Sequence, residues 1–141
     1  MKGYLLDVNV LIALAWPNHT QHGAVHAWFA QNRVAGWGTC MVTQLGFVRI
    51  SSHPALAHHV ATQDAWQNLS EIVALPDHAF WAEPAGGLAN PVFRRSIPRT
   101  LTHAQVSDSY VVTVAMENGG KLATLDRDLS ARFADHCVLI R

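Results

Sequence analysis

Three aspartates stand where folding could bring their carboxylates together. Asp7 directly follows the short apolar segment 4–6, and Asp126 directly follows a second apolar segment, 121–125. Asp108 lies in the first turns of the predicted helix that leads into this second segment. Groups that follow parallel strands gather beyond the same edge of an open sheet. We therefore expect the three carboxylates to converge at one edge.

The chemistry open to such a cluster follows from its charge. Carboxylates that converge repel one another, and they stay ionised when a cation lies between them. Mg²⁺ and Mn²⁺ prefer oxygen ligands, and a bound ion of this kind can activate water and stabilise a phosphoryl transition state. Phosphodiester hydrolysis is therefore the favoured reaction class. The structural alternative is that the strand-end aspartates only cap the next helix, and that Asp108 is only a favourable helix charge.

The elements that must position these acids alternate along the chain. Short apolar segments predict strands at 4–6, 34–40, 78–81, 121–125 and 138–140. Apolar residues at helical spacing predict helices at 8–16, 20–32, 43–50, 62–75, 102–118 and 128–133. Thr102 and Gln105 match a capping box, and 83–99 is predicted to be a loop with one helical turn near Phe93. The alternation predicts an α/β fold, with three α/β/α layers around a parallel sheet of four to five strands.

Composition narrows the class of protein further. A length of 141 residues fits one domain covering 1–141, and a hydrophobic share of 50% supplies a core. The formal net charge is zero, so any surface that binds phosphates must be local. The distant cysteines Cys40 and Cys137 favour core packing over a disulfide. With no apolar stretch of membrane-spanning length and no signal-peptide pattern, we expect a cytoplasmic protein with no membrane partner.

Three segments resemble the motifs of the PIN-domain family, and most closely its VapC-type toxins. They are LLDVNVLI at 5–12, VSDSY at 106–110 and GGKLATLDRDL at 119–129. Their order and spacing match across nearly the whole chain. The resemblance implies a PIN-like fold and an endoribonuclease that is the toxin of a toxin–antitoxin pair. It also implies that Asp7, Asp108 and Asp126 hold Mg²⁺ or Mn²⁺ while an RNA phosphodiester bond is hydrolysed, leaving a 5′-phosphate.

The resemblance also assigns supporting residues and shows one departure. Asn9, Thr124 and Asp128 would hydrogen-bond the acids or waters around the metal. Family members often carry a glutamate on the helix after the second strand, where this chain has Gln44. Gln44 can offer an oxygen but no charge, so we expect weaker metal binding and one ion rather than two. The departure leaves open a second function, a catalytically weakened PIN-like module that docks antitoxin or RNA without cleaving.

Further features bear on partners. The basic segment 93–99 could bind RNA phosphates through Arg94, Arg95 and Arg99, although a solvated loop explains it nearly as well. The resemblance favours a homodimer and a small antitoxin that covers the acidic site. The predicted helices 8–16 and 43–50 could supply an apolar surface for either partner.

Two other chemistries find little support in the residues. His22 and His26 are spaced i, i+4, as zinc ligands on a helix can be, but no third ligand accompanies them. The pair Asp7 and Asn9 suggests a phosphatase of the haloacid dehalogenase type. Such enzymes need an acid where Asn9 stands and a lysine before the final acids, for which Lys121 is a poor candidate.

Overall fold

A parallel sheet positions the candidate site, which lies beyond the carboxyl ends of its central strands. In the computed structural model, which describes residues 2–99 and 102–141, five strands form this sheet: β1 (Tyr4–Leu6), β2 (Trp37–Thr39), β3 (His78–Phe80), β4 (Lys121–Thr124) and β5 (Cys137–Leu139). Their order is β3-β2-β1-β4-β5, and all neighbours are parallel. The central strands β1 and β4 pair Leu6 with Ala123. Asp7 and Asp126 therefore follow adjacent strands.

Helices connect the strands and cover the sheet. Within the described part of the chain they are α1 (Val8–Ala15), α2 (His22–Asn32), α3 (Met41–Ser51), α4 (Thr62–Val73), α5 (Pro91–Ser96), α6 (Val106–Glu117) and α7 (Arg127–Arg132). None of these described helices is long and apolar enough to cross a membrane.

The core forms on both faces of the sheet because successive strand residues are apolar. Leu6 packs with residues of α1 to α4 in one cluster, and Leu5 packs with residues of α6 and α7 in the other. Both leucines are fully buried, as expected for a parallel sheet covered on two sides. The predicted three-layer α/β/α fold is confirmed.

Two local predictions differ from the structure. The segment predicted as a loop with one turn contains α5, because Asn90 accepts from the N–H groups of Val92 and Phe93 and Pro91 fills the first helical position. Strand β2 is shorter than predicted, because residues 33–35 form a 3-10 turn and Gly36 has a φ of 94°. The predicted capping box of Thr102 and Gln105 is confirmed, although it begins a 3-10 turn that leads into α6.

Candidate functional site

Asp7 is a buried carboxylate at the junction of β1 and α1. Its side chain accepts hydrogen bonds from the Val8 N–H at 2.8 Å and from Thr124 Oγ1 at 2.7 Å. The residue is only 4% exposed. Burial raises the pKa of Asp7 to about 6, the hydrogen bond from Thr124 opposes the rise, and the negative charge of Asp108 adds to it. A carboxylate whose pKa is raised by burial and whose position is fixed by hydrogen bonds is typical of a functional site.

Hydrogen bonds of Thr124 and Asn9 connect the carboxyl ends of β1 and β4, where Asp7 and Asp126 lie. Besides donating to Asp7, the Thr124 hydroxyl oxygen accepts from the Asp126 N–H at 3.1 Å and from Asn9 Nδ2 at 3.4 Å. Asn9 Oδ1 in turn accepts from the Leu125 N–H at 3.2 Å. The structure therefore brings these two predicted supporting residues to the acids.

Asp126 and Asp108 complete the acidic group from two other helices. Asp126 caps α7, since its Oδ1 accepts from the Leu129 N–H at 3.0 Å. Asp108, in the first turn of α6, is half-buried and makes no hydrogen bond or ion pair with another described residue. Burial raises the pKa of Asp108, the charge of Asp126 raises it further, and Arg132 lowers it. Asp108 is thus a partly desolvated carboxylate with unused oxygens.

The three acids line one cavity of about 400 Å³ at the carboxyl edge of the sheet. Among the described residues, no three acidic, histidine or cysteine side chains are close enough to form a ready-made metal cluster. The carboxylates face a common space, and burial is the main reason that the pKa values of Asp7 and Asp108 are raised, with the neighbouring negative charges adding to the rise. This donor set, all carboxylate oxygens with Asp108 unpaired, fits a hard divalent cation.

Two predicted supporting residues are not brought to this cavity. The Gln44 Nε2 donates to Thr39 Oγ1 at 3.0 Å, and the same hydroxyl bonds His78 Nε2 at 2.9 Å. Asp128 is exposed and pairs with Arg132, one helical turn along α7, at 3.1 Å. Neither residue is part of the cavity lining. Each is instead held by a polar partner nearby.

The predicted RNA-binding arginines are spread over different surfaces. Arg95 lines a separate cavity with Gly120 and Lys121, which lie at the amino end of β4 and therefore at the opposite edge of the sheet. The Arg99 guanidinium lies 5.2 Å from the centre of the Phe133 ring. Arg94 is exposed on α5. The structure does not bring the three together.

Arg132 is a charged residue near the acids that sequence reasoning missed. Its guanidinium donates to the Arg99 carbonyl at 3.0 Å and stands 5.7 Å from the Phe133 ring centre. Its positive charge lowers the pKa of Asp108. The i, i+4 spacing with Asp128 was the signal that could have identified it.

The histidine pair has a structural role. His22 Nδ1 lies 2.7 Å from the Ala13 carbonyl, and His26 Nε2 lies 3.2 Å from the Leu14 carbonyl. Both rings therefore donate to the last carbonyls of α1, which have no partner within that helix. Zinc is not needed to explain this pair. Cys40 and Cys137 are also structural, being buried and free.

Comparison with solved structures defines the class of fold. VapC20 of Mycobacterium tuberculosis matches with a TM-score of 0.62 at 14% identity, over 91% of this chain and 93% of that chain. FitAcB from Neisseria gonorrhoeae matches with a TM-score of 0.61 at 17% identity, over 96% of each chain. The architecture is that of the PIN-domain fold. No model of a known protein family matches the chain.

Comparison with curated sequences identifies the family. Ribonuclease VapC39 of Mycobacterium tuberculosis is 37% identical over 127 residues, which are 89% of this chain and 90% of that protein. Ribonuclease VapC38 of the same organism is 37% identical over 123 residues, 86% of this chain and 84% of that protein. The chain therefore belongs to the VapC ribonuclease family, and the resemblance seen in its motifs is confirmed.

Proposed function

We propose that this protein is a metal-dependent endoribonuclease and the toxin of a toxin–antitoxin pair. The observation that carries the proposal is that Asp7, Asp108 and Asp126, from distant parts of the chain, line one cavity. The VapC relatives are ribonucleases, and the structural neighbour VapC20 is a toxin that cleaves the sarcin–ricin loop. An RNA phosphodiester is the substrate that accounts for both the acids and the relatives.

The three acids would hold the cation together. Asp7, Asp108 and Asp126 would bind one Mg²⁺ or Mn²⁺, which supplies charge neutralisation, water activation and stabilisation of the phosphoryl transition state when bound. The Val8 N–H and the Thr124 hydroxyl keep Asp7 from leaving the cavity. Asp108, with no partner among the described residues, is the acid most able to adjust to an ion. Three carboxylates line the cavity and Gln44 lies outside its lining, so we expect one ion rather than two.

RNA cleavage by the purified protein tests the proposal. We expect cutting with Mn²⁺, none with EDTA, and 5′-phosphate product ends in an end-mapping experiment. Asp7→Asn should reduce cleavage by at least about 100-fold, because loss of a direct ligand should cost more than the roughly 10- to 100-fold typical of groups that only orient ligands. Asp135→Asn, an exposed acid lining the cavity at the opposite edge, is the matched control and should cut normally. If folded Asp7→Asn cuts as fast as the parent, the site is wrong.

A second function is favoured by Gln44, which stands in place of an acid and is bound to Thr39. In this alternative the chain is a weakened PIN-like module that docks antitoxin or RNA without cutting. Calorimetry would then show no Mg²⁺ or Mn²⁺ binding at millimolar concentration. Gln44→Glu would change metal affinity alone. Cleavage by the parent that depends on Mn²⁺ excludes this alternative.

An antitoxin and a second copy of the chain are the protein partners we propose. Membership of the VapC family supports the first. Helix α3 supports either, since it leaves Met41, Leu45 and Ile50 exposed by 38%, 49% and 38%. Light scattering of the purified protein should give twice the chain mass, and a monomer at high concentration would contradict the homodimer.

A further inference from the structure

A second cavity adjoins the acidic one and has a different lining. Its volume is about 220 Å³, and its walls include Trp16 and Ala57. It shares Ile12, His19 and Leu56 with the acidic cavity. Because three residues line both, the two cavities are adjacent. We call it the side cavity.

Trp16 gives the side cavity a rigid aromatic wall. Its indole Nε1 donates to Ser51 Oγ at 3.0 Å. The indole also stacks on Phe47, with ring centres 6.0 Å apart and planes within 11°. Both contacts fix the ring before any ligand arrives. Aromatic side chains of this kind are platforms for nucleobases.

His19 places a hydrogen-bond donor at the boundary between the two cavities. The Gln21 N–H donates to His19 Nδ1 at 3.0 Å. A neutral imidazole that accepts at Nδ1 carries its proton on Nε2, and no other described residue accepts from that atom. The half-buried ring therefore offers one directed N–H. Phosphate oxygens and the acceptor atoms of bases are suitable partners for it.

We propose that the side cavity is a nucleobase subsite, in which one base next to the scissile phosphate packs against Trp16 and Leu56. His19 Nε2–H donates to the same RNA. An apolar cavity of about 150 Å³ holds one benzene ring, so a cavity of about 220 Å³ has room for one base and is too small for a helix. The inference rests on the proposed function, because it takes RNA as the substrate.

Binding experiments test the subsite without needing cleavage. The probes are a short fluorescein-labelled single-stranded RNA of mixed sequence and an abasic ribose-phosphate strand of equal length, measured by anisotropy in EDTA. The parent should bind the RNA about tenfold more tightly than the abasic strand. Ala57→Phe, which fills the side cavity, should remove most of this preference. His19→Ala should weaken RNA binding several-fold.

Two control variants are matched to these changes. Ala55→Phe adds the same ring in the same loop, at an exposed residue that lines neither cavity. His53→Ala removes an exposed imidazole whose Nδ1 accepts from the Ala55 N–H at 3.0 Å, the same i, i+2 geometry as His19. Both controls should bind like the parent. Circular dichroism melting confirms that each variant is folded.

The inference is overturned if folded Ala57→Phe keeps the full preference for RNA, or if the parent binds both strands equally. It is also overturned if Ala57→Phe binds RNA normally and loses only the binding of a small antitoxin protein, since the cavity would then be a protein-docking site. Failure of the proposed function is seen separately, as absence of Mn²⁺-dependent cleavage by the parent. That outcome does not alter the binding measurements.

Discussion

At the scale of single residues, the site places a costly charge in the core. Asp7 is 4% exposed, and burial raises its pKa from the usual 3.8 to about 6. Each pKa unit corresponds to about 1.4 kcal/mol, so keeping Asp7 ionised at neutral pH costs roughly 3 kcal/mol in the absence of a cation. A carboxylate kept at this cost is consistent with a role in binding a cation.

Replacing Asp7 should therefore stabilise the ion-free protein. Asp7→Asn should raise the free energy of unfolding by about 1 kcal/mol near neutral pH. The gain is smaller than the charge cost because one amide oxygen must serve two donors, Val8 N–H and Thr124. The pKa of Asp7 is higher in the folded state than in the unfolded state, so the ionised carboxylate destabilises the parent increasingly as pH rises from about 4 to about 6. The stability gained by Asp7→Asn should therefore vanish near pH 4. Urea unfolding in EDTA at both pH values measures this, and a variant less stable than the parent at neutral pH contradicts it.

Thr124 should matter for cation binding through Asp7. Thr124→Val removes a hydroxyl that donates to Asp7 and accepts from Asn9 and from the Asp126 N–H. We expect Mn²⁺ affinity to fall about tenfold, as for other residues that orient metal ligands. Thr113→Val is the control, because the buried Thr113 hydroxyl bonds Ser96 away from the cavity. Calorimetry should show a loss for Thr124→Val alone, and equal losses for both would assign Thr124 a purely structural role.

Sequence reasoning was sufficient for residues whose place follows from a strand end. Asp7 and Asp126 follow the adjacent parallel strands β1 and β4, so their convergence was predictable from the sheet, whereas Asn9 and Thr124 were assigned by the family resemblance. Gln44 and Asp128 lie on helices, where the partner of a side chain depends on what packs nearby. Their partners, Thr39 and Arg132, become apparent only in the folded structure.

At the scale of elements, helices α1 and α3 cross closely beside the acidic cavity. Gly46 of α3 has no room for a side chain, since a Cβ there would lie 2.7 Å from Val8 Cγ2. Val8 itself lines the acidic cavity. The crossing therefore couples the position of α3 to the shape of the site.

The two helical glycines should respond oppositely to alanine. Gly46→Ala should destabilise the protein by about 1–3 kcal/mol, because it overpacks the crossing. Gly23→Ala in α2, where a Cβ would meet nothing within 4 Å, should stabilise by about 0.5–1 kcal/mol. Urea unfolding of both variants measures the difference. An unchanged free energy of unfolding in Gly46→Ala would show that the crossing is loosely packed.

The elements themselves were largely predictable, and the exception has a physical cause. Each predicted strand and helix appears in the structure, because apolar periodicity reflects which face is buried. Helix α5 was predicted only as a single helical turn because the prolines and glycines of 83–99 favour a loop, whereas Pro91 suits the first helical position after the Asn90 cap. Distinguishing the two roles needs the cap geometry, which periodicity does not contain.

At the scale of the whole molecule, the charge is balanced overall, and the arginines of segment 93–99 are divided between different surroundings. The three site acids lie at the carboxyl edge of the sheet, whereas Arg95 lies at the amino edge in a cavity that also contains Lys121, Glu117 and Asp135. Net charge was predictable from composition. The division was not, because Arg95 and Arg99 are close in sequence yet reach different surroundings.

This division predicts how salt affects RNA binding. Each phosphate neutralised on a single strand contributes about 0.7 to the slope of log affinity against log salt. Arg99 and Arg132 both lie against the Phe133 ring, and the charge of Arg132 lowers the pKa of Asp108. Arg99 is therefore near the acidic cavity. Arg99→Ala should therefore reduce the slope by about 0.7, and Arg95→Ala should leave it unchanged. Anisotropy titrations at several salt concentrations measure both, and a larger effect for Arg95→Ala would locate the RNA at the opposite edge.

The most direct test of the shared cation site is calorimetric titration of the protein with Mn²⁺. We expect one ion per chain for the parent and loss of that binding in Asp108→Asn, whose carboxylate has no other described partner to disturb. Asp64→Asn is the control, since Asp64 occupies the first turn of α4 as Asp108 occupies that of α6, and it should bind as the parent does. A parent that takes up no Mn²⁺ at millimolar concentration, or an Asp108→Asn variant that binds it unchanged, would contradict the account.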